Sequence, residues 1–334
     1  MIMKWILETF PYVKENPLLV GTFLIIITSI LFLIKIESFS AKVNESEDQL
    51  AGDADNILTK LLFPMCTALP NFVFAFSALK STNTAYLVVT ANIGNNVTNI
   101  TLFAGLILFI GLIKGESLSK DEGIELRKDF NFLFISTLIF FVCIWDNILT
   151  RQEGFILTIC FFYSMAGIFK FQVKDIFLIF KIIFQLAFFF ILAGFFIYIG
   201  SELIISYLED IGKNGNSGLY EVLLPGLVLV LPSTLPLLLT ITKPQMQKVA
   251  LSGIIGDCCF SIPLIIGIVS CFSEEISLEK SRGLFNYMLW TSIIAFVCFN
   301  IASSAKEKSR TPIWRVFIPF LGYGVILLLS QGGK

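Results

Sequence analysis

Apolar residues fall in runs of about twenty along the whole chain, rather than in the short alternations of a soluble fold. The runs lie near residues 18–36, 57–80, 85–113, 130–149, 154–171, 175–206, 219–242, 247–272, 283–303 and 313–330. Helices of that length cross a hydrocarbon core of about 30 Å. Polar stretches such as ESFSAKVNESEDQ, KGESLSKDEGIELRKD, EDIGKNGNSG and SEEISLEKSR separate them. The pattern predicts an all-α membrane protein with ten transmembrane helices. The sixth run is long enough to tilt or to project beyond the bilayer. The first run is too long for the apolar part of a signal peptide and lacks a small-residue cleavage site, so it is expected to be the first span. Residues 1–17, short and mixed in charge, are expected to lie at the interface.

Composition fits that reading. Of 334 residues, 56% are hydrophobic and only 15% are charged, against roughly 25% charged in a soluble domain. The net charge of −1 and the lack of a dense basic patch exclude a nucleic-acid partner. The expected partners are the lipid bilayer and small inorganic cations; no cofactor is implied, and the sequence does not encode the oligomeric state. The chain has no His, which removes the commonest metal ligand and general base. All seven Cys lie in apolar segments and read as reduced, buried thiols. Loops after the odd-numbered spans hold fourteen Lys and Arg, from Lys35 to Arg315, against eight on the opposite side. By the positive-inside rule both termini are placed outside. No targeting segment is visible, so a prokaryotic plasma membrane is the expected location.

Polar residues inside the spans recur in a pattern. CTALPNFVFAFSALK is followed one helix later by ANIGNNVTNITLFAGL, and PSTLPLLLTI is followed by SGIIGDCCFSIPLIIG. Each pair couples a hydroxyl-Leu-Pro turn (Thr67, Leu69, Pro70; Thr234, Leu235, Pro236) to a Gly with a polar neighbour (Gly94-Asn95; Gly256-Asp257). Pro and Gly that interrupt apolar helices at matching places in two halves point to a midplane binding site. The copies start on spans two and seven. An offset of five spans reverses the insertion direction, so the halves, 18–171 and 175–330, are expected to be inverted five-helix repeats. Their motif regions are about 57–113 and 219–272.

These motifs resemble those of the cation/Ca2+ exchanger superfamily, which includes the sodium/calcium exchangers. Its alpha repeats run roughly G-[ST]-S-x-P-E and then G-S-[NA]-x-x-[ND]; this chain has C-T-A-L-P-N with G-N-N-V-T-N, and P-S-T-L-P-L with G-D-C-C-F-S. The segment LRKDFNFLFISTLIFFVCIWDNILTRQEGFILTICFFYSMAGIF resembles the family's fourth and fifth spans. The resemblance implies a secondary cation antiporter with alternating access, and sliding of the sixth and first spans against the other helices. It places Thr67, Ala68, Asn71, Asn95 and Asn99, and Ser233, Thr234, Leu237, Asp257 and Ser261, at ion-site positions. Thr67, Asn71, Asn95, Asn99, Ser233, Thr234, Asp257 and Ser261 are the candidate oxygen ligands. Both family glutamates are replaced, by Asn71 and Leu237.

That replacement changes the expected ion. Ca2+ takes about six to eight oxygens, carboxylates among them, whereas Asp257 is the only acid at an inferred site position. One carboxylate balances a monovalent cation or a proton, and a divalent ion leaves about one positive charge uncompensated in a costly medium. Na+ is the leading candidate, with Ca2+, K+ and H+ as alternatives. A degenerate carrier, or a membrane scaffold that keeps the fold without transport, is the competing expectation. Asn95 and Asn99, four residues apart, share a helical face and can form two corners of a polar site. Asp146 and Arg151 read as structural caps of the turn between spans four and five. An aspartyl protease needs two paired carboxylates, and no second midplane acid partners Asp257; the chain is therefore not expected to be an enzyme.

Overall fold

A backbone crossing lipid has no water to bond, so each segment must satisfy its own N–H and C=O groups as a helix. The computed structural model of the chain follows that rule. It describes residues 9–44, 63–79, 82–114, 120–168, 173–213 and 247–279, with individual residues between 226 and 238, 283 and 294, and 318 and 325.

The helices are α1 (Pro11–Glu15), α2 (Pro17–Asn44), α3 (Phe63–Thr67), α4 (Leu69–Ala78), α5 (Thr82–Thr98), α6 (Ala104–Lys114), α7 (Lys120–Cys143), α8 (Arg151–Ile168), α9 (Val173–Lys213), α10 (Gln247–Phe260) and α11 (Gly267–Phe272). A π-helical turn, Asn99–Phe103, joins α5 to α6, and a second, Ser261–Ile266, joins α10 to α11. Span three is therefore one helix with a widened turn, and so is span eight. The second predicted span is broken at Ala68, where Pro70 enters the first turn of α4. Its expected start, and most of spans seven, nine and ten, lie outside the described residues.

The fourth span differs from its expected limits. It begins at Lys120, inside the polar stretch read as a connector. Leu126 is buried while Arg127 and Lys128 are exposed, so an amphipathic extension packs one face and wets the other.

Burial separates central from peripheral helices. Among the described residues, three helical stretches are long and apolar enough to span a membrane: Ala85–Lys114, Leu186–Tyr207 and Ala250–Phe272. Their most apolar windows are 67%, 39% and 83% buried, which puts spans three and eight at the centre and α9 at the edge. The outer face of α9 carries Phe184, Phe188, Ile191 and Phe195, spaced at helical intervals so that apolar side chains point outward to lipid. Its inner face packs on α2, where Gly21 and Gly200 let the backbones meet: a Cβ on Gly21 would lie 2.7 Å from Gly200 O. Phe32 and Phe190 close the same seam edge to face, with centroids 4.7 Å apart.

A small antiparallel clip joins two distant parts of the chain. Strand β1 (Ile148–Thr150) pairs with β2 (Glu275–Ser277), Leu149 opposite Ile276, and Leu278 N–H donates to Asn147 O at 2.8 Å. Asn147 takes a positive φ of 65°, which Asn tolerates better than most residues. Asp146 Oδ1 accepts from Ile148 N–H at 3.1 Å, in keeping with the structural role expected of it. The cap of α8 is instead Thr150 with Glu153: the carboxylate accepts from Thr150 N–H at 2.8 Å, and Thr150 Oγ1 accepts from Glu153 N–H at 3.4 Å. This reciprocal pair is a capping box.

Candidate cation site

Asp257 stands in the last turn of α10 and is 1% exposed. Its neighbour Gly256 lets α10 approach α3, since a Cβ there would lie 2.5 Å from Pro64 Cβ. On the opposite flank Gly226 lies directly on the Gly94–Asn95 backbone. Both motif glycines are thus points of close helix contact, and each brings the following polar residue inward.

Three amides converge on the carboxylate. Asn71 Nδ2 donates to Oδ1 at 2.9 Å. Asn95 Nδ2 and Asn99 Nδ2 donate to Oδ2 at 3.0 and 2.8 Å. A carboxylate offers only acceptors, so each amide must turn its NH2 toward it. The common acceptor confirms that Asn95 and Asn99 act from one helical face. Asn71 arrives from α4, one residue after the proline that restarts the helix. Among the described residues, every hydrogen-bond partner of this carboxylate is a neutral amide.

Two hydroxyls complete the cluster. Thr234 Oγ1 donates to Asn99 Oδ1 at 2.8 Å. Ser261 Oγ donates to the Asp257 carbonyl at 2.8 Å and lies 3.4 and 3.5 Å from the amide nitrogens of Asn71 and Asn95. Six of the eight residues singled out in the sequence therefore meet. Thr67 does not join them through a hydrogen bond: it is buried, but its hydroxyl donates to Pro64 O at 2.8 Å. Ser233 lies outside the described residues. Leu237 is 1% exposed, and its side chain offers no oxygen. Among the described residues no group of three Cys, Asp or Glu gathers as a metal centre.

The sequence reading missed the π turns. Each opens at the polar residue five positions after the motif glycine, Asn99 after Gly94 and Ser261 after Gly256. Such turns widen a helix and often mark functional sites. In the π register the N–H at position 263 would bond Cys258 O, five residues back, but Pro263 has no N–H. Asn96 substitutes: its Nδ2 lies 3.5 Å from Cys258 O. The Pro263-Asn96 combination was the one available signal. Asn96 thus supports span eight rather than facing the carboxylate.

The family model "Sodium/calcium exchanger protein" matches residues 19–170. No curated protein matches the chain in sequence at a significant level. Solved structures of the sodium-calcium exchanger NCX_Mj share the fold. The one soaked with 2.5 mM Na+ and 0.1 mM Sr2+ is 16% identical, with a TM-score of 0.60 over 93% of this chain and 96% of that one. The one soaked with 10 mM Na+ and no Ca2+ is 15% identical, with a TM-score of 0.61 over 95% and 98%. The one soaked without Na+ or Ca2+ is 16% identical, with a TM-score of 0.58 over 95% and 98%. The family match covers just under half of the chain, and the solved structures show that the fold is shared.

Proposed function

We propose that the protein is a secondary antiporter that carries a monovalent cation, Na+ before K+, or a proton, at Asp257. It works by alternating access between two inverted five-helix halves. The observation behind this reading is a single buried carboxylate among amides and hydroxyls drawn from spans two, three, seven and eight. One Na+ balances that charge, whereas Ca2+ would leave about one unit of positive charge in a poorly screened interior, with the second and third carboxylates of a typical Ca2+ site missing. Asn71, Asn95, Asn99, Thr234 and Ser261 supply neutral oxygens, and Ser233 and Thr67 remain candidate hydroxyl ligands by their positions in the sequence motifs. Matching glycine contacts and π turns in spans three and eight favour the duplicated, inverted plan.

The test is uptake of radioactive Na+ into proteoliposomes under opposing gradients of Na+, K+ or H+. The expected result is uptake above empty liposomes for the natural protein and background uptake for Asp257→Asn. A second reading, a membrane scaffold that no longer transports, is favoured by buried Leu237 at a ligand position. Background uptake from folded natural protein under every gradient would favour it.

A further inference from the structure

The three amides on Asp257 are not equivalent. Asn99 is held at both ends: its nitrogen donates to the carboxylate and its oxygen accepts from Thr234. Asn71 and Asn95 are held at one end only. Their nitrogens donate to Asp257, and that of Asn95 also to Asn96 Oδ1 at 3.4 Å, while Asn71 Oδ1 and Asn95 Oδ1 are buried and have no hydrogen-bond partner. Both residues are 0% exposed. A buried carbonyl oxygen without a partner is destabilising, and two of them flank one carboxylate.

Resting on the cation-antiport reading, we propose that Asn71 and Asn95 are a rotatable pair of amides that turn about χ2 to exchange N–H donation for oxygen ligation when a monovalent cation binds. A half-turn puts each oxygen where its nitrogen now lies, within 3.5 Å of Ser261 Oγ and about 3 Å from a carboxylate oxygen. Two oxygens that close together repel unless a cation stands between them. The same motion that removes two hydrogen bonds therefore builds a ligand set of the Asp257 carboxylate, two amide oxygens and the Ser261 hydroxyl. Asn99, pinned by Thr234, keeps one N–H on the carboxylate throughout and holds Asp257 in place. The arrangement assigns the ligand as a Na+- or Li+-sized monovalent cation, with the amide N–H dipoles stabilising the carboxylate in its absence.

The alternative is that the amides only donate and merely compete with a cation. The two roles predict opposite effects of removing the side chain. Equilibrium binding of radioactive Na+ to the purified full chain in detergent should weaken about tenfold or more in Asn71→Leu and Asn95→Leu, as expected when a ligand worth about 1.4 kcal/mol is lost. Unchanged or tighter binding in these variants overturns the proposal and leaves the antiport reading standing. A second measurement needs no variant: the infrared difference between Na+ and choline in protein carrying isotope-labelled asparagine should contain a label-shifted side-chain carbonyl band. A difference spectrum with carboxylate bands alone overturns the rotation. Natural protein that binds neither Li+, Na+ nor K+ overturns both the rotation and the cation reading; uptake driven by H+ alone would then separate a proton carrier from a scaffold.

Discussion

Replacing Asp257 by Leu and by Asn separates the carboxylate's charge from its role as an acceptor. Both substitutions remove a buried charge, so that contribution cancels when they are compared. Leu leaves three amide donors, on Asn71, Asn95 and Asn99, without their acceptor. Asn keeps one oxygen for the pair on Asn95 and Asn99, and its new NH2 faces Asn71, whose oxygen has no partner and can turn to accept it. An interhelical hydrogen bond within a membrane protein averages about 0.6 kcal/mol, and a stranded buried donor costs about 1–3 kcal/mol. Three such groups place Asp257→Leu below Asp257→Asn by about 2 kcal/mol on the first figure and about 3–9 kcal/mol on the second. The assay is the thermal midpoint of purified protein in a single detergent, read by the loss of the monodisperse chromatography peak. Asp257→Leu should melt several degrees below Asp257→Asn. Equal midpoints would refute the claim that the three amides depend on this carboxylate.

Other substitutions test neighbouring parts of the account. Gly256→Ala should destabilise strongly, because its Cβ would meet Pro64 at 2.5 Å, whereas Gly194→Ala, with nothing within 4 Å, should be neutral or gain up to about 1 kcal/mol from helix propensity; thermal midpoints of the pair measure the contrast. Thr150→Ala should lower stability by about 0.5–2 kcal/mol through loss of the α8 cap, without changing Na+ affinity in the binding assay. The double variant Asn71→Glu with Leu237→Glu should gain Ca2+ binding, detectable by calorimetry, because it supplies the two carboxylates that the natural chain lacks at these positions.

Much of the site is legible in the sequence because it depends on local spacing. Asn95 and Asn99 share a face by helical geometry alone, and Asp257 stands out as an acid deep in an apolar run. Pro70 marks the restart that delivers Asn71. Other features arise only in three dimensions. That Thr234 bonds Asn99 rather than the carboxylate depends on how span seven packs. Thr67 looks equivalent to the other hydroxyls in one dimension, yet its own helix offers the Pro64 carbonyl first. The π turns carry no composition signal at Asn99–Phe103, and only Pro263 hints at the second. The β1–β2 clip uses three-residue strands, too short for any period to show. The polar start of α7 reads as a loop because its packing rests on isolated apolar residues such as Leu126.

The most direct test of a single-carboxylate, monovalent site is uptake of radioactive Ca2+ into Na+-loaded proteoliposomes, with Asp257→Asn as the matched control. The account predicts uptake no greater than that of empty liposomes, from protein that exchanges Na+ under the same conditions. Robust Ca2+ uptake that collapses in Asp257→Asn would contradict it, and would mean that one carboxylate with neutral oxygens is enough to carry a divalent ion.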